Sequence, residues 1–304
     1  MGWDEPVVVL ANPAAGHGKA GRLIGRADRI LTELRVQHRV RVSASPEDLE
    51  ALARGSAEEG APIVAALGGD GTVSLAANGL LGTEAALAVL PAGTGDDFAS
   101  AVGARSFDQA VRLLAAPRVH RVDVVKVTPG AVVRHFVNIA GAGFDSEVNE
   151  RANATRLRLG TTGTYVAALL RTLPRFTPAH YEIDVDGTVL SLDAMLAIVG
   201  SGISYGGGMK VLPSAMLDDG ELDVCIVEAL SVPAFLRAFP RVYRGTHTTH
   251  PKVRMMRGRR VAIESNRLVP VYADGERIGP LPAVFEVQPR ALPVVVGPDA
   301  KGIG

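Results

Sequence analysis

Four short, nearly continuous runs of apolar and β-branched residues set the first constraint on this chain: VVVLAN (7–12), HRVRVS (38–43), PIVAAL (62–67) and LAVLP (87–91). Between them lie stretches rich in Ala, Leu, Glu and Arg, such as Lys19–Arg35 and Pro46–Gly60. A strand that is apolar at almost every position is buried on both faces, and helices between such strands supply the cover. Residues 1–125 therefore read as an α/β domain, a parallel sheet with flanking crossover helices.

After about Val122 the pattern changes. VDVVKVT, VRHFVNIAGAG, YEIDVDGTVLSLDAMLAIVG, ELDVCIVEAL, RVAIES, VPVYADGERI and AVFEVQPR read as strands, two of them turning through Asp186-Gly187 and Asp274-Gly275. Short strands joined by Asp-Gly hairpins point to an all-β, antiparallel sandwich over 126–289. Helices are expected to interrupt it at about Gly163–Thr172 and Val232–Tyr243. The last strand, ALPVVVG, fits either domain; residues 290–304 are expected to form a terminal strand and tail packing back on the first.

The balance of charge narrows the partners. Lys plus Arg and Asp plus Glu both number 32, so net charge offers no attraction for nucleic acid. The one cysteine, Cys225, sits inside an apolar run and excludes an internal disulfide, which suits a reducing, cytoplasmic setting. The N-terminus MGWDEPVVVLANP lacks the pattern of a signal peptide. No stretch approaches the roughly 20 apolar residues that span a bilayer, so a soluble or peripheral protein is expected.

Three glycine-rich turns follow first-domain strands. NPAAGHGKAG (12–21) contains a formal G-x-G-x-x-G, but its spacing from the strand is wrong for a dinucleotide fold, and HRVRVS ends without a ribose-binding acid. Lys19 is followed by Ala20, so it is no Walker loop either. It reads either as a helix-capping loop or as a phosphate cradle with Lys19 near the phosphates. LGGDGTVSLAANGLLG (67–82) is more specific: Gly68, Gly69 and Gly71 surround Asp70 at a helix mouth, where Thr72 is placed as N-cap or phosphate donor. PAGTGDDFA repeats the design, with Thr94 as a donor and Asp96 and Asp97 adjacent.

NPAAG, GGDGT and PAGTGDDFA in this order resemble the diacylglycerol kinase catalytic family, which includes sphingosine and ceramide kinases. GFDSEVNERAN (143–153), SYGGGMKVLPSAMLDDGELDV (204–224), FPRVYRGTH (239–247) and VYADGERIGPLPAVFEVQP (271–289) extend the resemblance to small bacterial members. The resemblance implies ATP-dependent transfer of a γ-phosphoryl group to a lipid hydroxyl, diacylglycerol by default, in a cleft between the two domains. It implies ATP contacts at Asn12, Pro13, Ala14, Ala15, Gly16, Ser43, Gly68, Gly69, Asp70, Gly71, Thr72, Val73, Ser74 and Thr94. It places a general base at Glu276 with Asp274 as an adjacent acid, and a structural Mg²⁺ at Asp219 with Met216 and Glu221. It also implies a homodimer. Two positions depart from the family pattern: Asp96 stands where relatives carry Asn, and Leu75 where they commonly carry a glutamate.

Phosphoryl transfer is chiefly positioning and charge neutralisation, and Mg²⁺ takes oxygen ligands. Asp70 and Asp97 are suited to hold that ion while backbone N–H groups hold the phosphates. Glu276 would take the acceptor's proton. For membrane contact, KVRMMRGRR brings Lys252, Arg254, Arg257, Arg259 and Arg260 together with Met255 and Met256, and Arg151, Arg156 and Arg158 form a second group. Each cation near an anionic surface adds on the order of 1 kcal/mol, though either group also reads as a solvated face. His247 and His250 form a short pair with no third ligand and read as a surface turn. Rival readings are a kinase of the NAD kinase or phosphofructokinase type, which also use a Gly-Gly-Asp-Gly loop, and a catalytically silent lipid-binding protein on the same scaffold.

Overall fold

The computed structural model describes residues 5–93, 95–130, 132–154 and 161–304. The chain divides into two units, one formed by 1–124 with 289–304 and the other by 125–288.

In the first unit the strands are β1 (Val7–Ala11), β2 (His38–Val42), β3 (Ile63–Gly68) and β4 (Ala86–Pro91). They alternate with α1 (Ala15–Glu33), α2 (Pro46–Glu58) and α3 (Asp70–Leu80), and β4 is followed by α4 (Asp97–Ala101) and α5 (Phe107–Leu113). Every residue of β1, β3 and β4 is buried, as expected of central parallel strands covered on both faces. The strands pair in parallel in the order β2-β1-β3-β4. The connection from β1 to β2 runs one way along the sheet and β3 lies on the other side of β1. The carboxyl ends of β1 and β3 thus flank a topological switch point, where open α/β sheets bind ligands. Helix stops and starts follow local chemistry: Ser45 and Asp48 form a capping box on α2, and Ser106 accepts the Gln109 N–H at 3.3 Å to cap α5.

The second unit takes β5 (Arg118–Pro129) from Val125 onward, then β6 (Arg134–Phe136), β7 (Ile139–Gly143), α6 (Phe144–Ala154), α7 (Thr161–Thr172), β8 (Ala179–Val185) and β9 (Thr188–Gly200). It continues through β10 (Leu222–Glu228), α8 (Val232–Ala238), two 3₁₀ turns, β11 (Val253–Gly258), β12 (Arg260–Ser265), β13 (Pro270–Ala273), β14 (Glu276–Pro280) and the start of β15 (Ala283–Val296). Antiparallel pairing links β14-β13-β7-β9-β8-β12-β15, and β10 joins the other side of β9 and carries β11. The long β9 therefore serves two neighbourhoods, with β8 along its first half and both β7 and β10 along its second.

Strand alternation sorts this unit into two apolar layers. Phe136, Tyr181, Ile183, Val199, Val224, Ile226, Val261, Val271 and Phe285 pack together as one buried cluster. Neighbouring residues of the same strands, Ile139, Met195, Ile198 and Cys225, face outward beneath Phe144, Leu169 and Phe235 of α6, α7 and α8. Two readings change. VRHFVNIAGAG breaks into β6 and β7, because a turn is held at Val137 and Asn138. AVFEVQPR and ALPVVVG merge into β15, which accommodates the junction by a left-handed Arg290 (φ 51°) rather than by a hairpin. The end of β15 pairs in parallel with β4 within the first unit. GFDSEVNERAN, which carries no secondary-structure expectation, is helical: Asp145 and Glu147 in its first turn and Arg151 toward its end complement the helix dipole.

Candidate active site

The three glycine turns leave the carboxyl ends of β1, β3 and β4, which are adjacent strands, and so meet at one edge of the first unit's sheet. Their contact is backbone on backbone. A Cβ on Gly16 would stand 2.1 Å from the Ala92 carbonyl oxygen, and one on Gly69 would stand 3.2 Å from Gly93 Cα. Gly16 also has φ 59°, followed by His17 at 57° and Gly18 at 81°, so the chain makes a left-handed turn before α1 proper begins. A glycine is needed at Gly16 on both counts. The Ala14 N–H donates to Asn12 Oδ1 at 3.1 Å, and the Ala92 N–H donates to the Gly68 carbonyl at 2.8 Å. The edge is a lattice of N–H groups and small residues beside the N-termini of α1, α3 and α4, which suits phosphate.

The side chains are placed as follows. Asp70 is the first residue of α3 and Asp97, buried, the first of α4. Thr72 is not the cap of α3: Gly69 holds that position in extended conformation, while the Thr72 side chain is buried against Gly68. Val73 and Ser74 are likewise buried. Ser43 turns inward, its N–H and hydroxyl both donating to the Ala11 carbonyl, at 3.0 and 3.3 Å. Lys19 is exposed, and its charge reaches Asp96. Thr94 lies outside the described residues. Asp96 adopts a left-handed conformation (φ 50°) and accepts the Gly93 N–H at 3.0 Å. Asn and Asp are the side chains that tolerate such a position, which accounts for either at this point of the loop. Burial raises the Asp96 carboxyl's pKa, partly offset by the Gly93 N–H and Lys19.

In the second unit, Asp274 and Gly275 form the turn between β13 and β14 with φ 49° and 86°, and Glu276 is exposed on the first residue of β14. The Asp274 carboxylate accepts the N–H groups of Val137, Asn138 and Ile139 at 3.0, 3.2 and 3.2 Å. It ties the β13–β14 turn to the β6–β7 turn. That is a holding task, and it positions the turn that carries Glu276. Asp186 uses the same device at the β8–β9 turn, accepting the Arg259 and Arg260 N–H groups at 2.7 and 2.9 Å.

The acidic loop before β10 is tied to β11 by an arginine. Asp219 pairs with Arg257 of β11, whose guanidinium also lies 3.2 Å from Glu221 Oε2 and 3.4 Å from Asp223 Oδ2. Asp223 and Arg257 are direct cross-strand partners. The remaining Asp219 oxygen accepts the Glu221 N–H at 3.1 Å. A guanidinium meets the charge of this loop, and among the described residues no group of three or more His, Cys, Asp or Glu side chains is arranged for a metal. The same geometry removes Arg257 from the free cations of KVRMMRGRR, where Arg254 is also paired, with Glu228 at 2.6 Å. Arg156 and Arg158 lie outside the described residues.

Beneath α6 and α8 the outer apolar layer encloses a cavity of ≈ 80 Å³ lined by Phe144, Leu169, Ile198, Met209 and Phe235. Its polar lining was missed by sequence reasoning. Asp145 is buried, its Oδ1 has no hydrogen-bond partner, and burial pushes its carboxyl from 3.8 up to about 7 against the lowering effect of the Ser146 N–H. One signal was available: Gly141 lies four residues earlier, and a Cβ there would stand 1.8 Å from Asp145 Oδ2. His247 is not on a surface turn. It is buried, lines the cavity, and shares a contact with the Val211 carbonyl at 3.1 Å, with its Nδ1 unpartnered. Burial lowers its pKa, keeping the ring neutral, and pushes the Cys225 thiol up to about 12, so that thiol is inert.

Residues 6–127 match the model of the diacylglycerol kinase catalytic domain, and residues 138–296 match the YegS C-terminal NAD kinase beta sandwich-like domain. A diacylglycerol kinase from Mycobacterium tuberculosis is 33% identical over 293 residues, covering 95% of this chain and 94% of that one. The chain belongs to the diacylglycerol kinase family. A diacylglycerol kinase from Bacillus subtilis is 30% identical over 243 residues, 77% of each chain. A crystal structure of a protein assigned as a diacylglycerol kinase from Bacillus anthracis superposes with a TM-score of 0.81 at 26% identity, covering 97% of this chain and 98% of that one. Membership makes this a kinase of the type that phosphorylates an alcohol, and it accounts for the pairing of an α/β unit with a sandwich. Among the described residues no helix is long and apolar enough to cross a membrane.

Proposed function

We propose that this kinase transfers the γ-phosphoryl group of ATP to the hydroxyl of a lipid, most simply diacylglycerol. The observation that carries the acceptor class is the ≈ 80 Å³ apolar cavity beneath α6 and α8. A ribose or sugar acceptor would need hydrogen-bonding walls. Here the lining is mainly Leu, Ile, Val, Met and Phe, with Asp145, Tyr205 and His247 as its few polar members, and there is room for a few methylenes before any flexible side chain moves. Asp145, part protonated near neutral pH, can donate to an ester carbonyl or accept from the hydroxyl without the cost of a fixed buried charge.

On this reading the backbone N–H groups of the Asn12–Gly16, Gly68–Gly71 and Gly93–Asp97 loops hold the phosphates, and Lys19 adds a positive charge beside them. Asp70 and Asp97 leave adjacent loops whose backbones touch at Gly69 and Gly93, and their hard oxygen donors fit Mg²⁺. When bound there with the nucleotide, the ion would neutralise phosphate charge as the bond to the leaving oxygen lengthens. Glu276 accepts the proton of the attacking hydroxyl, and Asp274 keeps its turn in place. Binding is peripheral, at a membrane surface.

The test is Glu276→Gln assayed with a total lipid extract, NAD and labelled ATP in parallel. Turnover to a phosphorylated lipid should fall by about 10²–10⁴-fold while ATP affinity is unchanged. Phosphorylation of NAD instead of lipid, or full activity in the variant, refutes the proposal.

A further inference from the structure

A groove on the first unit lies outside all of this machinery. It runs between α1 and α5, is open, and measures ≈ 590 Å³. Ala20, Ala27, Ile30 and Leu31 turn one side of α1 into the core. Arg22, Arg26 and Arg29 recur at helical spacing on an exposed side, and Arg112 joins them from the last turn of α5. Only Asp108 and Glu33 oppose these four cations along the groove. Arg26 is already paired, its Nη2 lying 2.5 Å from Asp108 Oδ2, and this pair joins the two helices across the groove. Arg22, Arg29 and Arg112 have no ion pair or hydrogen-bonded acceptor among the described residues. Like charges gathered in one groove repel unless an anion lies between them. The floor is kept low by Gly25, where a Cβ would meet nothing within 4 Å, so no packing demand calls for a glycine there.

We propose that this groove binds a phosphate group, held by the guanidinium forks of Arg22, Arg29 and Arg112 and admitted by the missing side chain at Gly25. The planar guanidinium matches phosphate oxygens two at a time, which a lysine patch does not do. The phosphate can belong to a membrane headgroup or to a soluble phosphomonoester, and the experiment separates them. The site is independent of the kinase reading: it would stand if the acceptor proved to be something other than a lipid.

The wild type, the double variant Arg29→Gln/Arg112→Gln and the single variant Gly25→Glu are titrated with three probes. These are glycerol 3-phosphate, vesicles of phosphatidylcholine, and vesicles of phosphatidylcholine with phosphatidic acid. All altered side chains are exposed, and circular dichroism confirms that the variants are folded. Wild type is expected to prefer the anionic vesicles, and each variant to lose about tenfold or more in that affinity, Gly25→Glu by charge alone. Loss of glycerol 3-phosphate binding in parallel shows that a soluble phosphate also fills the groove; a loss confined to vesicles assigns it to a headgroup. Equal binding of all three proteins to every probe, or no wild-type binding to any, overturns the proposal.

Discussion

The buried carboxyl of Asp145 makes a sharp test of the second unit's structure. Its folded pKa, about 7 against 3.8 when exposed, means that the folded chain binds its proton more tightly than the unfolded chain does. The stabilising contribution is therefore fully present below about pH 4 and is lost as pH rises through about 7. The whole displacement corresponds to roughly 4 kcal/mol, and because the group is buried no large solvent discount applies. Between about pH 5 and about pH 8 the linkage relation assigns roughly 2 to 3 kcal/mol of that loss to this one side chain. Asp145→Asn keeps the shape and removes the titration. Urea unfolding of both proteins is followed by the near-ultraviolet tyrosine signal, since all five tyrosines lie within 125–288. The stability difference between variant and wild type should move by roughly 2 to 3 kcal/mol in the variant's favour from the lower to the higher pH. A difference that stays constant within about 0.5 kcal/mol refutes the claim that Asp145 is held neutral by its surroundings.

Other perturbations follow from the same geometry. Gly16→Ala meets the Ala92 carbonyl and a left-handed backbone together, so a loss on the order of 2 kcal/mol in thermal unfolding and a clear fall in ATP affinity are expected. Asp274→Ala strips the acceptor from three N–H groups and should cost on the order of 2 kcal/mol, with turnover falling alongside. Asp274→Asn, which keeps one carbonyl oxygen, should recover part of both; equal damage from the two would point away from the N–H contacts. Arg257→Met leaves Asp219, Glu221 and the buried Asp223 facing each other. With Arg257 about half exposed the cost is about 1 kcal/mol, larger above the Asp223 pKa of about 6 and smaller below it, as paired pH melts would show.

Much of the fold is legible in local pattern. β1, β3 and β4 are apolar throughout because both of their faces are covered, and that demand is written into consecutive residues. Asp186-Gly187 and Asp274-Gly275 mark hairpins because few other pairs accept two left-handed conformations in succession. The glycine turns are equally plain, since Gly16 has no alternative beside Ala92. Where the reading failed, the deciding partner was remote in sequence. His247 looks like a turn residue until Val211 and Cys225 are placed beside it. Nor does any local pattern show that Arg257 of β11 stands beside Asp219, Glu221 and Asp223.

The sequence by itself determined the α/β unit, the antiparallel unit and the three phosphate-type turns, because each depends on the conformational needs of a few neighbouring residues. Only the tertiary structure decided what the polar side chains do. It turned Ser43 inward, gave Asp274 three backbone N–H groups to hold, enclosed Asp145 in an apolar layer and set Arg112 opposite α1. These outcomes depend on which atoms burial removes from water and which distant strand or helix is brought alongside, and no local pattern carries that information.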